Sequence, residues 1–377
     1  MLSRRHFTLA ATGSALIAGF STVQAQSAGK IILGQSAAYT GPSGAMGIEF
    51  YTGAKIAFDQ ANALGGINRQ MVEILQLDDG YEPVRCAENT RKLIESGVFA
   101  LFGFFGTATS LAALPMAKKE GLPFIAPFTG AVALRDPADR LTFHLRASYH
   151  DETALIVRTL LNLDIKKIAV FYQNDGYGKT GLNGIKLALN AQKLNIVAED
   201  TFERNTVDVT KAVNTLLAAQ PQTIVQIGKH KACAEFIRQA KKNGYRGTFY
   251  NVSNVDTRGL AEELGKQGEG VQVTQVVPSP YNLSQPVTRE FAAAVRAAGG
   301  NANANFSSME GYLAATLFLE GLKRAGPKAT RESFVSGMES IGTQSLGGFG
   351  VVLTPTSRVA SKFVELSMLS GDGRVRT

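Results

Sequence analysis

The stretch that most constrains the fold is residues 99–130, FALFGFFGTATSLAALPMAKKEGLPFIAPFTG. Phe99-Ala100-Leu101-Phe102 is a short apolar run that reads as a buried strand, too short for a helix. A small-residue loop over 103–110 carries three hydroxyls, Thr107, Thr109 and Ser110. A helix follows, with Leu111, Leu114 and Met116 on its apolar side, and Gly121 stops it. Residues 122–126 form the next buried strand, and Pro127-Phe128-Thr129-Gly130 a second polar loop. This is half of a parallel α/β unit whose two loops leave the same sheet edge. Ligands in such sheets bind outside the carboxyl ends of the strands, so the two loops are the first place to look for a site. The same order recurs over 223–253, TIVQIGKHKACAEFIRQAKKNGYRGTFYNVS, with AKKNG echoing the earlier AKKEG. Two matching halves imply two lobes that face one another.

A chain of 377 residues has room for two such lobes, and 45% apolar with 19% charged residues is the balance of a globular protein. Ser3-Arg4-Arg5-His6-Phe7, an apolar run over 9–20 and Val23-Gln24-Ala25 read as a signal peptide over 1–25. The run is too short to span a bilayer, and the arginine pair resembles a twin-arginine export signal. The mature chain is expected to begin near Gln26, in a bacterial periplasm. Removing Arg4 and Arg5 from 39 basic residues leaves 37 against 31 acidic ones, a net charge of +6. The excess is spread out, with no run longer than a pair such as Lys118-Lys119, which argues against nucleic-acid binding. Cys86 and Cys233 fall in helical patterns of different lobes and are expected as buried thiols, not a disulfide.

Strand and helix signals alternate along the rest of the chain. They place a first lobe over 26–149, a second over 150–278, a return to the first over 279–353, and a third crossing with a final second-lobe strand over 354–377. The polar Ser148-Tyr149-His150-Asp151 and the Pro-rich Val277-Pro278-Ser279-Pro280-Tyr281 mark the first two hinges. The expected fold is α/β: two Rossmann-like lobes joined by three hinge crossings.

No reaction assembles from the motifs. Gly176-Tyr177-Gly178-Lys179-Thr180 is similar to a phosphate-cradling loop, but Gln173 stands where that loop needs its first glycine. A G-x-S-x-G elbow is absent, and His144, His150 and His230 have no metal-ligand spacing. Neither a metal nor a cofactor is expected. Asp78-Asp79 reads either as an acid/base pair or, with more weight, as strand-end caps. Thr107 either donates to a ligand carboxylate at a helix amino terminus or is an ordinary helix cap. Tyr149 and Tyr177 either close on a ligand or are surface and hinge aromatics. Lys229 and His230 follow a strand and either meet an acidic group or are solvated.

At this point the chain resembles the type I periplasmic solute-binding proteins of the leucine-isoleucine-valine-binding family. The resemblance runs over nearly all of the mature sequence, through Thr40-Gly41-Pro42, Asn62-Ala63-Leu64-Gly65-Gly66-Ile67 and Leu77-Asp78-Asp79. It continues through residues 103–127 and 174–178, Ile237-Arg238-Gln239-Ala240 and Gly311-Tyr312-Leu313-Ala314-Ala315. It implies a non-catalytic, monomeric protein whose lobes close on a small-molecule ligand and deliver it to an inner-membrane ABC permease. A sensor presenting its ligand to a membrane receptor is the alternative the same fold serves. Thr107 falls where the family has a serine that binds the ligand's α-carboxylate, Phe128 at a backbone contact, and Tyr177 at a pocket tyrosine. Gly130, beside Thr129, replaces a threonine that helps hold the ligand ammonium. Ser253 occupies the region of the acidic residue that neutralises it, and Tyr81 and Gly106 stand where the family has a first-lobe disulfide. The expected ligand-binding set is Thr107, Phe128, Thr129, Tyr149, Tyr177, Lys229, Ser253 and, just before the first long helix, Met46. A buried ammonium without a carboxylate is costly, so the expected ligand is an aromatic or aliphatic carboxylic acid without an α-amino group. A branched-chain amino acid is the second choice.

Overall fold

The computed structural model describes residues 29–300 and 302–377; the expected leader over 1–25 lies outside the described residues. The chain opens with β1 (Gly29–Ala37), α1 (Gly44–Ala63), β2 (Gln70–Asp78), α2 (Pro83–Glu95), β3 (Ala100–Phe102), α3 (Thr107–Lys119), β4 (Phe124–Ile125) and β5 (Thr142–Phe143). These strands form one sheet in the order β2-β1-β3-β4-β5, and every pairing is parallel. All three residues of β3 are buried, as expected of a central strand covered on both faces.

The second lobe follows as α4 (Tyr149–Asn162), β6 (Ile168–Gln173), α5 (Gly176–Asn190), β7 (Ala198–Phe202), α6 (Thr210–Ala218), β8 (Thr223–Ile227), α7 (His230–Lys242), β9 (Thr248–Asn251), α8 (Thr257–Leu264) and β10 (Gln272–Gln275). The chain then adds α9 (Pro286–Ala298), α10 (Phe306–Ala325), α11 (Arg331–Glu339) and the hairpin β11 (Gly342–Leu346) and β12 (Phe349–Leu353) against the first lobe. It ends with β13 (Glu365–Leu369) and β14 (Val375–Arg376), which extend the second sheet to β14-β13-β10-β9-β8-β6-β7. There β13 pairs antiparallel with both β10 and β14, and the remaining pairings are parallel.

Each sheet is a layer between helices. A first core joins one face of the first sheet to α1, α9, α10 and α11. A second runs continuously from α2 and α3 to α4 and α5, so it passes from one lobe to the other. A third covers the far face of the second sheet with α6, α7 and α8. The chain passes between the sheets near residues 144–148, 276–280 and 354–364. The first and third crossings are tied together, since His144 N–H donates to the Arg358 carbonyl (2.8 Å) and Ala360 N–H to the His144 carbonyl (2.7 Å).

Two local expectations change. The small-residue stretch at 103–110 is not all loop: the helix begins at Thr107, directly after Gly106 at φ +84°. Tyr149-His150-Asp151 is the first turn of α4, started by a capping box in which Ser148 and Asp151 each satisfy the other's backbone N–H. Among the described residues Cys86 and Cys233 are free and buried, in α2 and α7.

Where α1 crosses α10 the backbones nearly touch. A Cβ on Gly311 would lie 1.9 Å from the Phe50 carbonyl oxygen, and backbone cannot yield as a side chain can. Gly311→Ala is expected to lose about 1–3 kcal/mol of stability by overpacking, read as a lower urea midpoint with an unchanged slope.

Candidate functional site

Both sheets reverse their strand order beside a central strand, between β1 and β3 in one and between β6 and β8 in the other. The loops leaving those carboxyl ends converge between the lobes. From the first lobe, Gly106 precedes α3 and offers no side chain to cap it, so the first-turn N–H groups lack an intrahelical or capping acceptor. The Thr107 hydroxyl is therefore not a cap. It meets the Thr129 hydroxyl at 2.6 Å, and Thr129 lies 3.2 Å from the Tyr149 hydroxyl. From the second lobe, Tyr177 packs its ring 5.1 Å from that of Tyr149 and donates its hydroxyl to the Gly228 carbonyl (3.2 Å). Both tyrosines are fully buried, so neither is a surface aromatic. At the amino terminus of α5 the Asp175 carboxylate accepts from Tyr177 and Gly178 N–H, filling the place where a phosphate would sit.

Two buried cations stand in the chamber. Arg146, at the first crossing, reaches Glu152 of α4 at 3.0 Å and Glu310 of α10 at 3.5 Å, and it also donates to the Ser253 hydroxyl. Ser253 gives its backbone N–H (2.7 Å) and its hydroxyl (3.1 Å) to Glu152, and Thr274 adds a third donor (2.5 Å). A carboxylate is thus present beside Ser253 after all, carried by α4 and already matched by Arg146. Burial pushes the Glu310 carboxyl up to about 7, against the pull of Arg146 and with the help of Glu152. The other cation, Lys229, precedes α7 and donates to the Asn254 carbonyl (3.1 Å) and side-chain oxygen. Its ammonium sits 4.6 Å from the ring centre of Phe105, 5.0 Å from Tyr177 and 5.3 Å from Tyr81.

The lobes are shut over this chamber. Glu82 of the first lobe takes Arg204 (2.9 Å) and Asn205 (2.7 Å) of the second, and Glu49 pairs with Arg258 (2.7 Å). Asn254 Nδ2 reaches the Phe128 carbonyl (3.4 Å), as does Gly106 N–H (3.3 Å). Surface cavities of about 610 and 660 Å³ lie beside the β11–β12 hairpin and beside Gly29, and none of these side chains lines them.

Seven of the eight expected residues come together here, through hydroxyl, ring, carbonyl or Arg146-mediated contacts. Met46 does not share their polar contacts; it is buried in the first-lobe core with Phe50 and Phe128. Asp78 and Asp79 are structural: Asp78 accepts from Tyr39, Thr40 and Gly80 N–H, and Asp79 from Ser36 and Tyr81. Two further departures from the family pattern acquire neighbours. A Cβ at Gly130 would meet Tyr149 N at 2.8 Å, so a threonine has no room. A Cβ at Gly106 would meet the Tyr81 ring at 2.2 Å, so the two positions where the resemblance puts the family's disulfide pack ring on backbone instead. Arg146, Glu152 and Glu310 were not singled out from the sequence; only the Ser148–Asp151 capping box beside them carries a local signal.

Two α/β lobes shut on a buried polar and aromatic chamber define a bilobal ligand-binding protein. The chain belongs to the periplasmic binding protein family, whose model matches residues 30–365. It is 26% identical over 336 residues to "Leu/Ile/Val-binding protein homolog 7" of Brucella melitensis, covering 84% of this chain and 82% of the relative. It is 23% identical over 262 residues to the Leu/Ile/Val-binding protein of Escherichia coli, covering 69% and 70%. The crystal structure of a possible leucine/isoleucine/valine-binding protein from Rhodopirellula baltica superimposes with a TM-score of 0.89 at 32% identity, covering 93% of this chain and 96% of that one. The protein is therefore a solute-binding protein of the Leu/Ile/Val-binding type, not an enzyme, and the family is periplasmic.

Replacing Arg146 with methionine strands two buried carboxyls, and a loss of about 3–5 kcal/mol is expected at pH 8. Glu310 titrates above its ordinary value of 4.5, so its ionised form is the costly one. The defect should shrink as pH falls from 8 to 5 and Glu310 protonates. Urea unfolding of both proteins at the two pH values checks this, and an equal loss at both would contradict it.

Proposed function

We propose that this protein captures a small carboxylate-bearing ligand between its lobes by hinge closure and delivers it to an inner-membrane ABC permease. The hinges are the three crossings near residues 144–148, 276–280 and 354–364, so the first expected boundary, 149/150, moves ahead of Tyr149, which begins α4. The carrying observation is the buried Thr107–Thr129 hydroxyl pair beside the uncapped start of α3, at the face where the lobes meet. Hydroxyls and helix-start N–H groups are carboxylate donors, while Lys229 gives the chamber positive charge. Tyr81, Phe105, Phe128, Tyr149 and Tyr177 wall it, which suits an aromatic or aliphatic acid body.

Glu152 and Glu310 are both drawn to Arg146, which supports a ligand without an α-amino group. A branched-chain amino acid is the second reading, favoured by the names of the relatives and by the presence of those two carboxyls.

A thermal-shift screen of the mature protein, residues 26–377, separates the two. The panel pairs leucine with 4-methyl-2-oxopentanoate and adds benzoate and cinnamate. A true ligand at about a hundred times its dissociation constant adds ~2.7 kcal/mol. Shifts by the acids alone are expected; shifts by leucine alone would overturn the choice of ligand.

A further inference from the structure

We infer that Lys229 sets the charge of the ligand: its ammonium takes the ligand's carboxylate, so the cleft selects anions and rejects ligands bearing an amino group. The inference rests on reading the inter-lobe chamber as the ligand site.

Lys229 is 6% exposed, and among the described residues no carboxylate comes within 4 Å of its ammonium. An ammonium has three donors, and the acceptors recorded for it are the two oxygens of Asn254. The faces of Tyr81, Phe105 and Tyr177 supply further attraction without supplying a counter-charge. Such a group is costly to bury unless an anion arrives.

The surrounding acids are all engaged. Glu152 and Glu310 face Arg146, Asp175 caps α5 and lies 3.8 Å from Arg204, and Asp256 sits 3.1 Å from His230 while capping α8. A ligand ammonium would face the Lys229 and Arg146 cations, while the nearby carboxylates already accept hydrogen bonds or ion pairs within the protein. The Lys229 cage and the hydroxyl pair share a wall: the Tyr177 ring lies 5.0 Å from the ammonium and 5.1 Å from the ring of Tyr149, the partner of Thr129. Tyr81 and Phe105 belong to the first lobe and Tyr177 to the second, so the cage is complete only when the lobes meet.

The electrostatics agree. Burial lowers Lys229 from 10.5 to about 7; Asp175 and Asp256 oppose this, and Arg146 adds to it. The other titratable groups nearby, Tyr81, Tyr177 and Cys233, are pushed up by burial and stay neutral, while burial lowers His230. An arriving carboxylate favours the charged lysine, so binding at pH 8 should take up a proton. In the unliganded protein the sign is opposite to that of a paired lysine. Between pH 7 and 10.5 the unfolded chain holds more protons than the folded one, so Lys229 makes stability rise with pH.

The test is calorimetric titration of the wild type, Lys229→Gln and Lys229→Arg with 4-methyl-2-oxopentanoate, benzoate, cinnamate and leucine. It is run at pH 6.5 and 8.5, and at pH 8 in two buffers of different ionisation enthalpy. At least one acid should bind the wild type with proton uptake at pH 8, roughly tenfold more weakly at pH 8.5 than at 6.5. K229Q should lose about a hundredfold in acid affinity together with the proton uptake, and K229R should recover part of the affinity. Unliganded K229Q should be at least as stable as the wild type at pH 7, with a flatter dependence on pH up to 9, which separates lost binding from lost folding. Acid binding by K229Q equal to that of the wild type would overturn the role of Lys229 and leave carboxylate capture standing. Binding of leucine alone, or of none of the acids, would overturn both.

Discussion

The relation between the two lobes depends on one buried guanidinium. Arg146 comes from the first crossing, Glu152 from the first helix of the second lobe, and Glu310 from a helix that returns to the first. Taking such charges out of water is expensive, and the arrangement is tolerable only because hydrogen bonds fill around it. Ser253 and Thr274 provide them for Glu152, while Phe128 and Tyr149 lay their rings within 6 Å of the guanidinium. A rotation that separated the lobes would pull Arg146 from one of its two carboxylates and let water in. The ion cluster and the inter-lobe pairs at Glu82 and Glu49 therefore act on the same coordinate, one at the hinge and two at the rim.

The chamber thus contains two kinds of positive charge. Arg146 is matched from both lobes and serves the architecture. Among the described residues the ammonium of Lys229 meets the oxygens of Asn254 and three ring faces and no carboxylate, and from that we infer its role toward the ligand. The distinction is energetic, since a matched cation gains little from a further anion while an unmatched one gains its missing partner. Asn254 connects the two halves of the site, for it accepts from Lys229 and donates to the Phe128 carbonyl just before Thr129.

Much of this was legible in the sequence because it is local. The alternation of short apolar runs with Gly-stopped helices gives the α/β order, and strand-end position alone brings Thr107, Thr129, Tyr177 and Lys229 forward. The first hairpin arm, β11, was not foreseen, because Gly342-Thr343-Gln344-Ser345-Leu346 buries only its last residue well and shows no apolar alternation. The Arg146 cluster was not legible either. Its members are 6 and 164 residues apart, and each sits in an element that looks ordinary by itself. Met46 makes none of the polar contacts that join the other seven residues; it packs in the first-lobe core that also holds Phe50 and Phe128.

The departures from the family pattern make sense in pairs. Gly130 lacks a hydroxyl because the backbone and ring of Tyr149 occupy the space, and Tyr149 brings a hydroxyl back to Thr129 from the other lobe. Gly106 lacks a sulfur because Tyr81 lies on it, and the same ring faces Lys229. Ser253 lacks a carboxylate because Glu152 reaches its hydroxyl and N–H from α4. Each small residue is the complement of a large or charged one elsewhere, so none of the three can be judged alone. With these three pairs closed, the ammonium of Lys229 still has no carboxylate within 4 Å among the described residues, and the inference about the ligand starts from that.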